Sequence, residues 1–358
     1  MAKPMARSVT PSCEMAMEPR SGRWRRYLGV LLCIGVSGLF LYLAVRKADL
    51  LEVGKALRSI NLRWLLPMII IGLVDFWLRA VRWTLMFPID SRPTVRQTFG
   101  VFMIGTMTNN FVPGRLGDIA RAGMIARLLP TLGISGAFAT VVLEKVFDGL
   151  MLLALLGLAF LMAPLPLWLA KSGALGSALF LGALLLLLVI NAHGKANRIT
   201  TDTRAEQSRF GKIFSVVKRL LQRFALGLSA LNSKRQAWAV LMLTLTIWLL
   251  EFSFIFLVFQ MFGLNLPFVA AIVTGVVLCV GMMLPAAPGF IGTYQFFTIT
   301  GLQLYQVPES QALAVAIFLN VFVLANSTLL GLLVLSVDGV NWLSGWHRLD
   351  YRLISNRD

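Results

Sequence analysis

Two apolar segments of the chain carry the same break. Val112-Pro113-Gly114-Arg115-Leu116-Gly117 and Ala287-Pro288-Gly289-Phe290-Ile291-Gly292 stand 175 residues apart and share Pro-Gly, any residue, Leu or Ile, then Gly. About fifteen mostly apolar residues flank each break on either side. Pro and Gly interrupt a helix and leave backbone groups unpaired, which bare lipid does not tolerate. Such breaks survive at membrane depth only where protein or a polar cavity covers them. Matching breaks in two halves of a chain point to a transport site.

Composition places those breaks in a membrane. The chain is 58% hydrophobic and 14% charged, and several apolar runs exceed the roughly 18 residues that cross a bilayer. Lys plus Arg outnumber Asp plus Glu by 33 to 16. The cations cluster at helix ends and in two polar segments, a pattern of the positive-inside rule and of anionic headgroups rather than of nucleic acid. Cys13, Cys33 and Cys279 have no metal or disulfide spacing, and His193 and His347 lie in loop-like regions. No metal or cofactor is expected. No P-loop is present, so any transport draws on gradients or mass action.

Six segments read as crossings: 27–45, 64–87, 135–162, 173–192, 237–262 and 310–336. Segment 193–235 holds ten Lys/Arg against Asp202 and Glu206, and 1–26 holds six against Glu14 and Glu18; both fit the cytoplasmic side. The links 163–172 and 263–267 carry only Lys171 and fit outside. Counting crossings from those assignments makes 96–130 and 268–306 re-entrant helical hairpins of opposite orientation, bent at Pro113-Gly114 and Pro288-Gly289. The fold expected is an all-α integral membrane protein in an inverted repeat. A basic cytoplasmic segment (1–26) precedes a polytopic membrane domain (27–337). Its first half is 27–162 and its second 173–337, with a basic cytoplasmic loop at 193–236, and a short cytoplasmic tail (338–358) follows. Residues 46–63 carry five cations yet should lie outside; Leu50, Leu51, Val53, Leu57 and Ile60 suggest an amphipathic surface helix on headgroups.

Ionisable residues at membrane depth are costly and mark function. Ten stand there: Asp75, Arg79, Arg82, Arg115, Asp118, Arg121, Glu144, Lys145, Asp148 and Glu251, five of each sign. Asp75 and Arg79 are i,i+4; Arg115, Asp118 and Arg121 follow the first break on one face. Glu144 and Asp148 share a face and need cations from elsewhere, with Arg115 or Arg121 as partner. Arg82 and Arg121 also suit snorkelling near helix ends. Glu251 is a hydrogen-bond acceptor on its helix or a coupling carboxylate. Arg115 opens a half-helix whose free N–H groups and dipole already favour an anion, and phosphate is the obvious one. The lipid-phosphate site expected comprises Gly114, Arg115, Gly117 and Arg121, with Asn110 either part of it or, like Asn109, Asn320 and Asn326, helix-packing glue. Asp75, Arg79, Asp118, Glu144, Lys145 and Asp148 form its supporting charges. The second turn offers Pro288, Gly289, Gly292, Thr293, Tyr294 and Gln295, with Asn320 in the next crossing: either a polar-aromatic tip for an amphiphile or scaffold.

The runs NNFVPGRLGDIARAGMIAR, SGAFATVVLEKVFDGLMLL and LPAAPGFIGTYQFF, with Leu329-Leu330-Gly331-Leu332, resemble the flippase-like transmembrane domain of the lysylphosphatidylglycerol synthase family, the membrane half of the multiple peptide resistance factors. The resemblance covers nearly the whole chain. It carries the family pattern to Asn110, Pro113, Arg115, Gly117, Asp118, Arg121, Glu144 and Asp148, with Lys145 where Arg is usual. Gln295 and Asn320 depart from it, standing where the family commonly has Glu and Arg; an ion pair is exchanged for a neutral one. The resemblance implies movement of an anionic or zwitterionic phospholipid, or a polyprenyl-phosphate-linked lipid, between leaflets of the inner (plasma) membrane, with both termini cytoplasmic. The synthase domain is not in this sequence, and no aminoacyltransferase or other enzyme activity is expected. Other readings are a non-transporting accessory that partners a lipid or cell-envelope biosynthetic enzyme, and an ion-coupled small-solute carrier or channel.

Overall fold

A computed structural model describes the backbone of residues 21–162, 165–196, 220–228, 233–284 and 286–355, and side chains within 33–337. Every regular element among them is helical. The order is α1 (Ser21–Val45), α2 (Leu50–Arg58), α3 (Leu65–Leu85), α4 (Val95–Phe111), α5 (Leu116–Leu128), α6 (Gly133–Met162) and α7 (Leu167–Ala196), then α8 (220–227), α9 (Lys234–Met261), α10 (Phe268–Gly281), α11 (Thr293–Gln303) and α12 (Glu309–Ser355).

Five stretches are long and apolar enough to cross a membrane: Leu62–Leu85, Gly133–Met162, Leu167–Ala192, Lys234–Met261 and Glu309–Val337. They match five of the six crossings read from the sequence, and the sixth falls in α1. The chain is a multi-pass α-helical membrane protein. The expected N-terminal segment and basic loop lie largely outside the described residues. At Val337, the expected end of the membrane domain, the α12 backbone stays helical through to Ser355.

Both Pro-Gly breaks fold the chain back on itself. Helices α4 and α5 are 17 and 13 residues long, α10 and α11 14 and 11. Each pair packs side by side around its break. The two turns share a backbone path. The residue before each Pro is extended, as proline demands. Gly114 and Gly289 have φ of 79° and 70°, and the residues after them, Arg115 and Phe290, have φ of 54° and 56°. Beyond that position the paths diverge. Leu116 starts a helix at once, whereas Ile291 is extended and Gly292 takes φ 94° before α11 begins.

The packing partners also come in matching sets. Helix α4 lies on α12 and α10 on α6; α5 lies on α6 and α11 on α12; α3 meets α4 and α9 meets α10; α3 and α9 pack on each other. Not every contact is matched in this way. Helix α1 lies on α11, with the Ser37 hydroxyl accepting a hydrogen bond from the Ala287 N–H at 2.7 Å and Phe40 against Phe296 and Phe297. Gly292 leaves no room for a Cβ there, since one would stand 2.1 Å from the Ser37 carbonyl oxygen.

Residues 46–63 include the expected amphipathic helix, α2. Its N-terminus is capped by Asp49, which accepts from the Leu51 N–H at 2.8 Å. Val53, Leu57 and Ile60 pack inward, while Leu50 and Leu51 face out.

Gly117 sets how closely α5 approaches α4. A Cβ there would stand 2.0 Å from the Gly105 carbonyl oxygen and 2.6 Å from Asn109 Oδ1. Both are rigidly held, so Gly117→Ala must push the hairpin open. We expect a loss of about 1–3 kcal/mol, the usual range for overpacking, read as a lower melting temperature of the purified protein. Gly123→Ala, where a Cβ meets nothing within 4 Å, serves as the neutral control.

Candidate functional site

Nine of the ten ionisable residues expected at membrane depth are joined by ion pairs among α3, α5, α6 and α9. One group is built on Arg79, which reaches Asp75 at 2.6 Å and also pairs with Glu251. A second runs from Asp148 to Arg82 (2.5 Å), to Glu144 (3.4 Å), to Arg121 (2.9 Å), to Asp118 (3.4 Å) and to Lys145 (3.6 Å). The second group balances, three cations against three carboxylates. The first holds two carboxylates and one guanidinium.

Burial is deepest in the second group: Arg82 is 0%, Arg121 2% and Glu144 2% exposed. Neither arginine snorkels. Arg82 also donates to the Thr244 hydroxyl at 3.1 Å, and the Arg121 guanidinium lies over the Trp83 ring at 4.8 Å. Removing one partner of such a pair strands a charge and costs about 3–5 kcal/mol. The pairing differs from that read in the sequence. Arg121 does meet Glu144, but Asp148 belongs to Arg82, and Arg115 meets neither. Helical spacing gives the face a side chain occupies, and it does not say which neighbouring helix supplies the partner.

Arg115 stands apart, pairing with no carboxylate among the described residues. It is exposed. Its Nη2 donates to the Met282 carbonyl at 3.1 Å, and its guanidinium lies 5.6 Å from the Phe290 ring centroid. Arg115 and Phe290 occupy the same position in the two turns, so the breaks meet through equivalent side chains. Met282 caps the C-terminus of α10, whose dipole favours a cation. Arg115 thus links the start of α5 to the end of α10.

Three cavities follow one another along this network. One of about 240 Å³ is walled by the charged residues Asp75, Arg79, Asp118, Arg121, Glu144, Lys145 and Glu251, with Phe76, Thr106, Asn109 and Asn326 among the rest. A second, about 210 Å³, shares Phe76, Thr106, Asn109, Asp118, Lys145 and Glu251 with it and adds Asn110, Arg115, Trp248, Phe290 and Tyr294. A third, about 220 Å³, lies between the turns and is bounded by Gly114, Arg115, Met282, Ala287 and Phe290.

The other expected residues take less open places. Asn110 donates to Ser327 and Thr328 of α12 at 2.8 and 3.0 Å. The Gly117 N–H, expected to be free for an anion, donates to Asn109 Oδ1 at 2.7 Å. Asn109 was not among the expected site residues; a polar side chain eight positions before the N–H it caps gives no capping signal in sequence. Thr293, Tyr294 and Gln295 are buried, though Tyr294 lines the second cavity. Gln295 and Asn320 do touch. Gln295 Oε1 accepts from the Gly292 N–H (2.7 Å), its Nε2 donates to Asn320 Oδ1 (3.2 Å), and Asn320 Nδ2 donates to the Gly289 carbonyl (3.0 Å). The neutral pair holds the second turn shut.

Residues 30–331 match the family model described as the lysylphosphatidylglycerol synthase TM region. Among curated proteins and among solved structures, none matches the chain.

Gln295→Glu places a second oxygen against Asn320 Oδ1 with no cation to meet it. The variant should lose about 3–5 kcal/mol, as for an uncompensated buried charge, and Asn320→Arg added to it should recover much of the melting temperature. Strictly additive losses in the double variant would contradict the contact.

Proposed function

Since the chain belongs to the lysylphosphatidylglycerol synthase transmembrane family, we propose that it moves an anionic or zwitterionic lipid, phospholipid or polyprenyl-phosphate-linked, between leaflets of the plasma membrane, and that Arg115 receives the phosphate. The observation that carries this is the freedom of one guanidinium. Every other charge in the network has an ionic partner, whereas Arg115 rests on a neutral carbonyl and an aromatic face at the wall shared by two cavities. A phosphate offers a charge-assisted, two-point bond that outcompetes both contacts. Arg121 plays a supporting role: its charge is already committed to Glu144 and Asp118, and it fixes α5 against α6. Cavities of this size take a headgroup and leave acyl chains in the bilayer.

The alternation of sides rests on the two breaks. Their matched backbone, their meeting at Arg115 and Phe290, and the paired packing partners support two re-entrant hairpins in an inverted repeat. On that reading one hairpin enters from the cytoplasm and the other from outside, and both termini are cytoplasmic. A phosphate drawn onto Arg115 removes the tie between α5 and α10, so binding and loosening of the hairpin contact are one event. This is a transport role without bond chemistry, so no enzyme activity accompanies it.

Reconstitution into phosphatidylethanolamine–phosphatidylglycerol vesicles with a fluorescent phospholipid tests the site. Arg115→Ala should slow leaflet exchange roughly tenfold or more, since hydrogen bonds between charged groups contribute about 1.5–3 kcal/mol. Arg115→Lys, with charge but no planar fork, should fall between. Because Arg115 balances none of the carboxylates, the Ala variant should melt like the wild type. Full exchange by a normally folded Ala variant would refute the phosphate site. Exchange unaffected by any charge removal would favour an accessory role, and uptake of a water-soluble ion in its place a carrier.

Topology is checked separately by single cysteines. Positions near 95 and 129 should both label from the cytoplasm, and those near 266 and 306 from outside. Labelling of the two ends of one hairpin from opposite sides would end the re-entrant arrangement.

A further inference from the structure

The Arg79 group carries one negative charge too many. Arg79 on α3 pairs with Asp75 on its own helix and with Glu251 on α9. The neighbouring group has no cation to spare, its three being matched by three carboxylates. Asp75 is 8% exposed, and its Oδ1 is buried with no hydrogen-bond partner, a setting that penalises a charged carboxylate oxygen more than a neutral hydroxyl. Glu251 is different: its side chain is 41% exposed and it lines both the first and the second cavity.

We infer that Asp75 and Glu251 together hold one exchangeable proton, and that this proton is the coupling ion of the transporter. The proton comes from water in the cavity and forms an O–H bond on a carboxylate oxygen. It enters through Glu251 and rests on Asp75 Oδ1, leaving Arg79 one ionised partner and the group neutral. When the cavity changes side, water takes the proton back. A metal cation fits less well, because the Arg79 guanidinium lies between the two carboxylates. No cluster of three metal-ligating His, Cys, Asp or Glu side chains occurs among the described residues. A proton needs only one free oxygen.

The groups facing the pair fit this assignment. Arg82 from α3 and Asp148 from α6 lie on the α3–α6 side and are bound to each other. Asp118 of α5 and Lys145 of α6, also paired, share both cavities with Glu251. Arg121 of α5 and Glu144 of α6, bound to each other, wall the first cavity with Asp75. The second cavity adds Arg115, Cys279 of α10 and Tyr294 of α11, and the polar side chains of α12 in the two cavities, Asn320, Asn326 and Ser327, are neutral. Arg115, the one cation without a carboxylate among the ten charges, lines the second cavity and not the first, which Asp75 walls, so no spare cation stands next to Asp75.

The role as coupling ion rests on the translocation reading; the presence of the proton does not. The first test therefore reads no transport. With the purified protein near neutral pH, Asp75→Asn and Glu251→Gln should each keep or raise the melting temperature, because each removes the excess charge. The double variant should melt well below both, since Arg79 is then left without a carboxylate. Glu144→Gln, from the balanced group, should melt lower as a single change. Single variants at 75 and 251 that both fall as far as Glu144→Gln, or that add up in the double, would show both carboxylates ionised. Infrared pH titration should show a protonated-carboxyl band in the wild type that Asp75→Asn removes. Its absence, or its persistence in that variant, overturns the site.

In the same phosphatidylethanolamine–phosphatidylglycerol vesicles, net lipid movement should follow an imposed pH gradient in the wild type and ignore it in Glu251→Gln. Wild-type movement indifferent to the gradient would overturn the coupling. A wild type that moves no lipid under any condition would sink the translocation reading, and the melting and infrared results would still decide the proton.

Discussion

Everything near the middle of this protein depends on two arginines buried to the last few per cent, Arg82 and Arg121, sharing Glu144 between them. Almost none of their surface is open to the cavity, so each guanidinium demands a carboxylate and each carboxylate a guanidinium. That demand fixes α3, α5 and α6 at one relative rotation, and through Asp148 and Asp118 it extends to both ends of the contact. Apolar packing between helices in lipid is weakly directional, because lipid tails compete with it. Ionic pairing of this kind is not. The two apolar cores lie on either side of the charged cavity, one mostly from α9 to α12, the other from α3 to α6. The charges are what register one core against the other.

Against this locked frame, function is defined by what is left over. Among the ten charges at membrane depth, one guanidinium has no ionic partner in the described residues, and one carboxylate exceeds its cations. Both sit on cavity walls. A site whose charges all cancelled would bind nothing, and one with many unpaired charges would not fold in lipid. The arrangement confines imbalance to two places and builds the rest to be satisfied.

Much of this was legible in the residues alone. The two breaks and the ten charges follow from residue types and spacing, because an apolar run rarely tolerates Pro-Gly or a charge unless protein covers it. The contact between Gln295 and Asn320 follows only from the family resemblance, in which Glu and Arg commonly stand at those positions. The amphipathic helix α2 was equally readable. What resisted was azimuth and anything resting on backbone. Arg82 as partner of Asp148 depends on how α3 is rotated towards α6, which no repeat in either helix encodes. The resting place of Arg115 is a carbonyl, at Met282, and a carbonyl has no sequence signature. Likewise the sequence leaves the second turn open between a polar tip and scaffold, and only the structure shows its polar groups spent on one another and on the turn itself.

The contact between α1 and the second turn has a consequence for how the molecule comes together. Ser37 and Phe40 lie on α1, yet the groups that cover them, the Ala287 N–H and the rings of Phe296 and Phe297, come some 250 residues later in the chain. Until that later segment is made the polar notch on α1 lacks these partners, and it closes only when the second hairpin arrives. The halves are therefore not two units that fold and then dock. Helix α1 is finished by the second half, in the manner of a clasp whose catch is made well before its tongue, so its assembly waits on the second hairpin.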